Sequence, residues 1–483
     1  MSNQQSEGQS NRRSGKPQQA TEASPQLRRA LSVWGASAFV ITSMIGIGIF
    51  TAPADVRAAT GSPIAALGVW LTGAALALFG AFCYAELATR MPRAGGEYQY
   101  LSHVYGRPWG FIGGWITFFA GFAAPTAAST IMAVKYFSPL APGWNPDAPL
   151  ISGLGLTQGA AIAALLPLLL ALPHSIGVKP SGRMQTTLAL MTVTAIIVFT
   201  VAGVSSGRGD WGRVIQSSKA SGGWLVALIQ ASFAYLGWNA AAYLAGEVTE
   251  PRRTLPRALI SGTIAVAVLY ITLNLLYFYA IPADAWKAGL PIAHNAAEQL
   301  FGLSGGKLVS AIIMITIIGA ISAYTASGPR IYYAMARDGL APSIFGRLGK
   351  RSQAPIIAIF TQAGIASIMA LTSAFGTLLL YVGSALLLIS ALTVAAVYVV
   401  RRAADDDPKS NFSVPGYPFT PAIYILLVIF SWIQALQKEP MPAIYAIVTI
   451  AAGVAVYYVG RARGWIATSS TTQLETETQE SDQ

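Results

Sequence analysis

Two long apolar stretches of this chain are each interrupted by glycine near their midpoints. The first, residues 32–59, contains Met44-Ile45-Gly46-Ile47-Gly48-Ile49-Phe50, and the second, residues 223–248, contains Phe233-Ala234-Tyr235-Leu236-Gly237-Trp238-Asn239. A helix in hydrocarbon must satisfy its own N–H and C=O groups, so its backbone can break only where protein or a water-filled cavity takes over. A matched pair of broken helices therefore points to a polar site near the bilayer midplane, where secondary transporters hold their substrates. Glycine in membrane helices also serves simply to let neighbours approach. Gly110-Phe111-Ile112-Gly113-Gly114 fits that plainer role, whereas Gly46/Gly48 and Gly237 occupy corresponding places in two halves of the chain.

The composition agrees with a membrane setting. Of 483 residues, 54% are hydrophobic and only 11% charged, where soluble domains carry about a quarter. The formal net charge of +11 could suggest an anionic partner. The basic residues, however, cluster in loops between apolar stretches and form no stripe with interleaved aromatics, so no nucleic-acid partner is expected. Cys83 is the one cysteine, which rules out a disulfide within the chain and argues against a thiolate metal site. His103, His174 and His294 are far apart and near loops, so neither a metal nor a catalytic cluster is expected from them. No cofactor is expected either.

Crossing the hydrocarbon takes about twenty mostly apolar residues. Stretches that qualify run 33–58, 62–89, 107–134, 157–176, 184–205, 223–247, 255–281, 307–335, 354–372, 374–400, 419–437 and 441–460. They predict an all-α integral membrane protein of about twelve transmembrane helices. The ninth and tenth are joined by so short a turn at Ser373 that they must be antiparallel neighbours.

Loop charge sets the orientation. With both termini cytoplasmic, 23 Lys and Arg fall inside, seven fall outside, and Arg57 lies within a span; that bias predicts both tails inside. Spans one to five and six to ten form halves of odd length, so the second half starts from the opposite face and the repeat is inverted. The expected segments are a disordered cytoplasmic tail over 1–31, a first five-helix repeat over 32–205 and a second over 206–400. Helices eleven and twelve follow over 401–465, then a disordered cytoplasmic tail over 466–483.

Several motifs resemble the amino acid–polyamine–organocation superfamily of permeases, nearest to the L-type amino-acid transporters and their bacterial relatives. They are Gly46-Ile47-Gly48-Ile49-Phe50; Tyr84-Ala85-Glu86-Leu87 followed by Pro92-Arg93-Ala94-Gly95-Gly96-Glu97-Tyr98; the Phe233–Asn239 stretch with Pro251-Arg252-Arg253-Thr254-Leu255-Pro256; Ser327-Gly328-Pro329-Arg330 through Ala336-Arg337-Asp338-Gly339; and Val414-Pro415-Gly416-Tyr417-Pro418. Spread in order over nearly all of 33–460, they are specific together. The resemblance implies the 5+5 inverted repeat of the leucine-transporter-type fold with two added helices, and alternating-access transport of a free amino acid across the cytoplasmic membrane.

An amino acid is a zwitterion, and a broken helix can meet both charges with backbone alone: a new N-terminus exposes N–H groups and a new C-terminus exposes C=O groups. The amides of Ile47, Gly48 and Ile49 are predicted to bind the α-carboxylate. The carbonyls of Met44, Ile45, Phe233, Ala234 and Leu236 are predicted to receive the α-ammonium, with Gly46 and Gly48 allowing close approach. The resemblance implies the same assignment and makes Phe233 the gating aromatic. Asn239 is expected to hydrogen-bond within the unwound stretch and hold it open.

Departures from the family pattern bear on substrate. Ile47 replaces the family's serine, and Leu236 a glycine, which favours small or medium neutral substrates. Asn239 stands where arginine/agmatine antiporters of the superfamily carry a glutamate. No acid lies in the middle of a span, which disfavours cationic amino acids and polyamines. The lysine that proton-coupled relatives place in the fifth span is matched by Thr192. Ser322 and Thr325 are candidates for sodium coupling and Glu86 for proton coupling, with proton symport the alternative to exchange. Glu86, Glu97 and the arginines of 90–107 are expected to latch against 251–257. A channel would need a pore lined by charged or carbonyl rings, and an intramembrane enzyme a catalytic pair that is absent here. Loop 135–156 lacks the cysteine by which animal L-type transporters bond a glycoprotein, so no disulfide-linked accessory subunit is expected.

Overall fold

A computed structural model describes residues 27–151, 155–217, 219–220, 223–286, 292–372, 375–403, 412–438 and 440–466. The expected turn at Ser373 and tail residues 1–26 and 467–483 lie outside the described residues. Short sequence signals set the helix ends. The Ser32 hydroxyl accepts from the Gly35 amide at 3.3 Å and starts α1 (Val33–Met44). Gly61, at φ 68°, ends α2 (Gly48–Thr60) in the left-handed conformation. Ser62 caps α3 (Pro63–Arg90), whose first residue is a proline that has no N–H to satisfy.

A loop helix, α4 (Glu97–Tyr105), leads to α5 (Arg107–Ile116), a π-helical stretch (Thr117–Ala123) and α6 (Ala124–Phe137). A small antiparallel hairpin of β1 (Pro149–Ile151) and β2 (Leu156–Thr157) precedes α7 (Gln158–Ile176) and α8 (Val178–Ser205). The second half holds α9 (Trp224–Ala234), the short α10 (Ala240–Tyr243), α11 (Pro251–Ala280), the amphipathic α12 (Ile292–Phe301), α13 (Leu303–Ser327) and α14 (Pro329–Arg337). Then come α15 (Ile356–Thr372), α16 (Phe375–Ala403), α17 (Phe419–Lys438) and α18 (Pro440–Ala462). Among the described residues eight helices are long and apolar enough to cross a membrane, or nine with the α1/α2 pair, which bends by 46°. Two apolar helices, α15 and Phe419–Gln434, are shorter.

The centre of the molecule is the pair α1/α2 and α9/α10, enclosed by α3, α11, α8 and α13. Leucine and valine side chains stay exposed on the outer faces of α7, α8, α17 and α18, among them Leu165, Leu169, Leu190, Val201, Leu426 and Val448. Such extended apolar faces suit lipid rather than water. The Gly110–Gly114 run packs as its sequence predicts: a Cβ on Gly113 would press on Leu101, and one on Gly114 on Met335.

The face at which the chain enters the bundle differs from expectation. Residues 30 and 31 are not free tail: the Ala30 and Leu31 amides donate to the Glu247 carbonyl at 2.8 and 2.9 Å, and the Thr249 amide returns a bond to Leu31. Leu31 and Val248 form a parallel bridge. The expected latch against 251–257 does not form from Glu86 or Glu97. Glu86 binds Arg401, Arg90 and the Val414 amide instead, tying α3 to the end of α16 and to the segment before α17. At that segment Arg253 pairs with its own neighbour Glu250 at 3.8 Å on the exposed surface, and the buried pair close by is Arg330–Glu247, at 2.6 Å, with both side chains 1% exposed.

Candidate functional site

Both predicted breaks are present. Helix α1 stops at Met44 and α2 restarts at Gly48; α9 stops at Ala234, and Tyr235–Asn239 forms turns before α10. Each glycine is required by the other break. A Cβ on Gly48 would collide with Ala234, and one on Gly237, at φ 104°, would lie 2.6 Å from the Ser43 carbonyl oxygen. At Gly46 it would meet only ordinary contacts of 3.7 Å with Ala320 and Tyr324, so Gly46 is the more replaceable of the pair.

The breaks open onto one cavity, lined by eight of the predicted residues: Met44, Gly46, Ile47, Gly48, Phe233, Ala234, Leu236 and Asn239. Ile45 and Ile49 are fully buried and do not line it with their side chains. Gly48 and Ile49 open α2, where the first N–H groups of a helix have no intrahelical partners, and Gly48 lines the cavity. The carbonyls are more occupied than expected. The Tyr270 hydroxyl, from α11, lies 2.6 Å from the Met44 oxygen and 3.0 Å from that of Ala234. Tyr324 donates to the Ser43 carbonyl at 2.8 Å, and Phe233 O accepts from the Leu236 amide. One tyrosine thus staples the two breaks together.

Asn239 does not bond within the unwound stretch as expected. Its side-chain amide donates to Glu97 Oε1 at 2.8 Å and to the Tyr243 hydroxyl at 3.0 Å. Glu97, 2% exposed, lines the cavity and also accepts from Tyr84 at 2.7 Å, Thr117 at 3.3 Å and Tyr243. The span pattern located acids only within spans; this one is brought in by a loop helix that packs inside the bundle. Burial pushes the Glu97 carboxyl up from its ordinary range, and the four hydrogen bonds pull against that rise. The π-helical stretch between α5 and α6 supplies Gly121 and Phe122 to the cavity wall and Thr117 to Glu97, and such bulges gather at functional sites. Ser43, Ser129, Ser390 and Tyr424 also line the cavity, and no sequence motif marked them.

The coupling candidates lie elsewhere. Ser322 donates to Gln185 Oε1 at 2.7 Å and meets His174 Nε2 at 3.0 Å. The Gln185 amide in turn binds Thr42 and the Gly319 carbonyl. Thr325 bonds back to Ile321 at 2.8 Å. The two candidate hydroxyls, Ser322 and Thr325, are therefore both bonded to protein. Glu86 is held in its ion pairs. Among the described residues no group of His, Cys, Asp and Glu could hold a metal.

Residues 31–453 match the family model of the amino acid permeases. The chain belongs to that family. The permease is 31% identical to the serine/threonine exchanger SteT of Bacillus subtilis over 89% of its own length and 97% of the relative's. It is 29% identical to the rat large neutral amino acids transporter small subunit 2, over 90% of this chain and 81% of that one. With the mouse Asc-type amino acid transporter 1 it shares 27% over 90% and 81%. The permease is accordingly a multi-pass membrane protein of a transporter family and not an enzyme.

Proposed function

We propose that the chain is an alternating-access carrier of the cytoplasmic membrane that exchanges small or medium neutral L-amino acids. One observation carries this reading: an α2 N-terminus and the carbonyl ends of α1 and α9 converge on a single buried cavity, complementary to a zwitterion. The α-carboxylate sits at the amides of Ile47, Gly48 and Ile49, beside Ser43, whose buried hydroxyl has no hydrogen-bond partner. The α-ammonium shares the carbonyls that Tyr270 staples. Phe233, half-buried at the cavity wall, closes over the substrate.

The side chain of the substrate meets Leu236, Leu386 and Tyr424 together with the hydroxyls of Ser129 and Ser390, which suits serine, threonine or alanine better than an aromatic residue. A serine/threonine exchanger among the relatives supports this choice. Glu97 offers no counter-ion to a cationic substrate, because its oxygens already hold four neutral donors. The filled network around Ser322 supports exchange without a driving ion. Twelve spans in two inverted five-helix halves plus a final pair are the topology consistent with an odd repeat, with both tails cytoplasmic on the 23-to-seven charge bias. The relative named a small subunit works with a partner by its name; Cys83, buried in α3, offers this chain no bond to one.

Proteoliposomes test the reading. Labelled serine should enter vesicles preloaded with serine, threonine or alanine, and not empty ones or those loaded with arginine or putrescine. Replacing sodium or abolishing the pH gradient should leave the rate unchanged. Equal uptake into empty vesicles would overturn exchange.

A further inference from the structure

Glu97 is a buried carboxylate with no cationic partner among the described residues, held at the junction of four structural elements. Tyr84 reaches it from α3, Thr117 from the π-helical stretch, and Asn239 and Tyr243 from the inner part of the second broken span. The other titratable groups in its field are Tyr100 on its own helix and Tyr424 on α17; none is a base. A buried charge without a counter-charge is retained only where hydrogen bonds satisfy it fully, and here four do.

The two sides of this cluster are unequally anchored. Helix α4 is pinned: Tyr98 donates to Asp338 at 2.6 Å, the Arg107 side chain holds the Asp338 carbonyl at 3.0 Å, and Ser102 lies against Gly110. The other side is the turn Tyr235–Asn239 and the four-residue α10, a segment too short to be stable alone. It meets α4 closely. Gly96, at φ 54°, has room for no Cβ because the Tyr243 ring would lie 2.5 Å away, and the Gly95 amide donates to the Tyr243 carbonyl at 3.3 Å. Bonds to an ionised acceptor are the strong ones in such a cluster.

We propose that Glu97 is a titratable latch of the cytoplasmic exit: its ionised carboxylate holds Asn239 and Tyr243, and with them the inner part of the second broken span, against α4. Glu97 is a positioning residue, acting on the site through Asn239. Protonation converts one acceptor into a donor, so the carboxyl can no longer receive all four bonds, and the segment is released toward the inward-open state. The direction follows from burial, which lifts the carboxyl into a range where acidification protonates it. The latch is closed above that range and loosened below it. The inference rests on the exchange reading for its consequence, and on geometry alone for the latch itself.

Two measurements on the full chain separate these. In wild-type vesicles, acidification from pH 8 to 5 should lower the KM for internal serine and raise that for external serine, each by roughly threefold or more, as expected for a shift between two conformers. Glu97→Gln should show the acid-limit ratio at every pH, and Glu97→Asp, which keeps the charge, should retain a pH dependence. Hydrogen exchange of the 239–247 amides, corrected for the intrinsic effect of pH, reads the latch without transport. Wild type should be protected at pH 8 and lose protection on acidification, whereas Glu97→Gln should be unprotected throughout. A Glu97→Gln protein with the wild-type pH profile in both measurements would overturn the latch. Absence of exchange by wild type, with the amide pattern intact, would instead count against the transport reading and leave the latch supported.

Discussion

A Cβ on Gly48 would lie 2.6 Å from the Cα of Ala234, so the two helix breaks meet backbone to backbone. Gly237 makes the reciprocal approach to Ser43. Neither break has its shape alone. The cavity exists because each glycine leaves room for the main chain of the other half, and the dipoles that meet a zwitterion are brought together by that same contact.

Gly48→Ala should therefore separate the breaks. Overpacking of this kind costs about 1–3 kcal/mol, and serine exchange should fall by roughly tenfold or more. Gly46→Ala, which meets nothing closer than 3.7 Å, should stay near wild type. Initial exchange rates at matched protein content in the vesicles check both; equal loss in the two variants would contradict the account.

Tyr270→Phe removes the hydroxyl between two carbonyls: that of Met44 keeps the Gly46 amide at 2.8 Å, and that of Ala234 loses its tyrosine partner. An unpaired buried acceptor costs about 1–3 kcal/mol. The expected result is a serine KM higher by about five- to a hundredfold, in a protein that still elutes as a single species. An unchanged KM would show that the staple is dispensable.

The Arg330–Glu247 pair is buried on both sides. Removing one partner strands a charge and typically costs about 3–5 kcal/mol. Arg330→Met and Glu247→Gln should each lower the melting temperature, and the double variant should recover part of the loss. Thermal melts in detergent measure this, and strictly additive losses would argue against a coupled pair.

Exchange should be indifferent to sodium, because Gln185 and His174 already bind the oxygens of Ser322, Thr42 and Gly319. Serine counterflow in sodium and in choline buffers should agree. A Gln185→Ala variant that became sodium-dependent would support the idea that the amide fills the ion's place.

Much of the fold was legible in the sequence, because the lipid environment leaves a chain few choices: apolar length marks the helices, and glycine at matched positions marks the breaks. Met44, Gly48, Phe233 and Asn239, which line the cavity, stand in those glycine-interrupted stretches. Glu97 was visible in its motif but misplaced, since hydropathy assigns a polar segment to a loop without saying that the loop helix packs inside the bundle. Tyr270 carried no signal at all. It sits mid-helix in α11, and only the crossing of three elements brings its hydroxyl to two carbonyls. Leu31 was read as tail because a polar stretch ends there, and its bridge to Val248 depends on a strand-like contact of one residue.

That single-residue bridge has a practical side. Since the main chain at positions 30 and 31 grips the carbonyl of Glu247, anything fused just upstream becomes a lever on the doorway. A bulky tag or a bound antibody fragment there would bias which side the carrier faces, and assays on such fusions would report the handle as well as the protein.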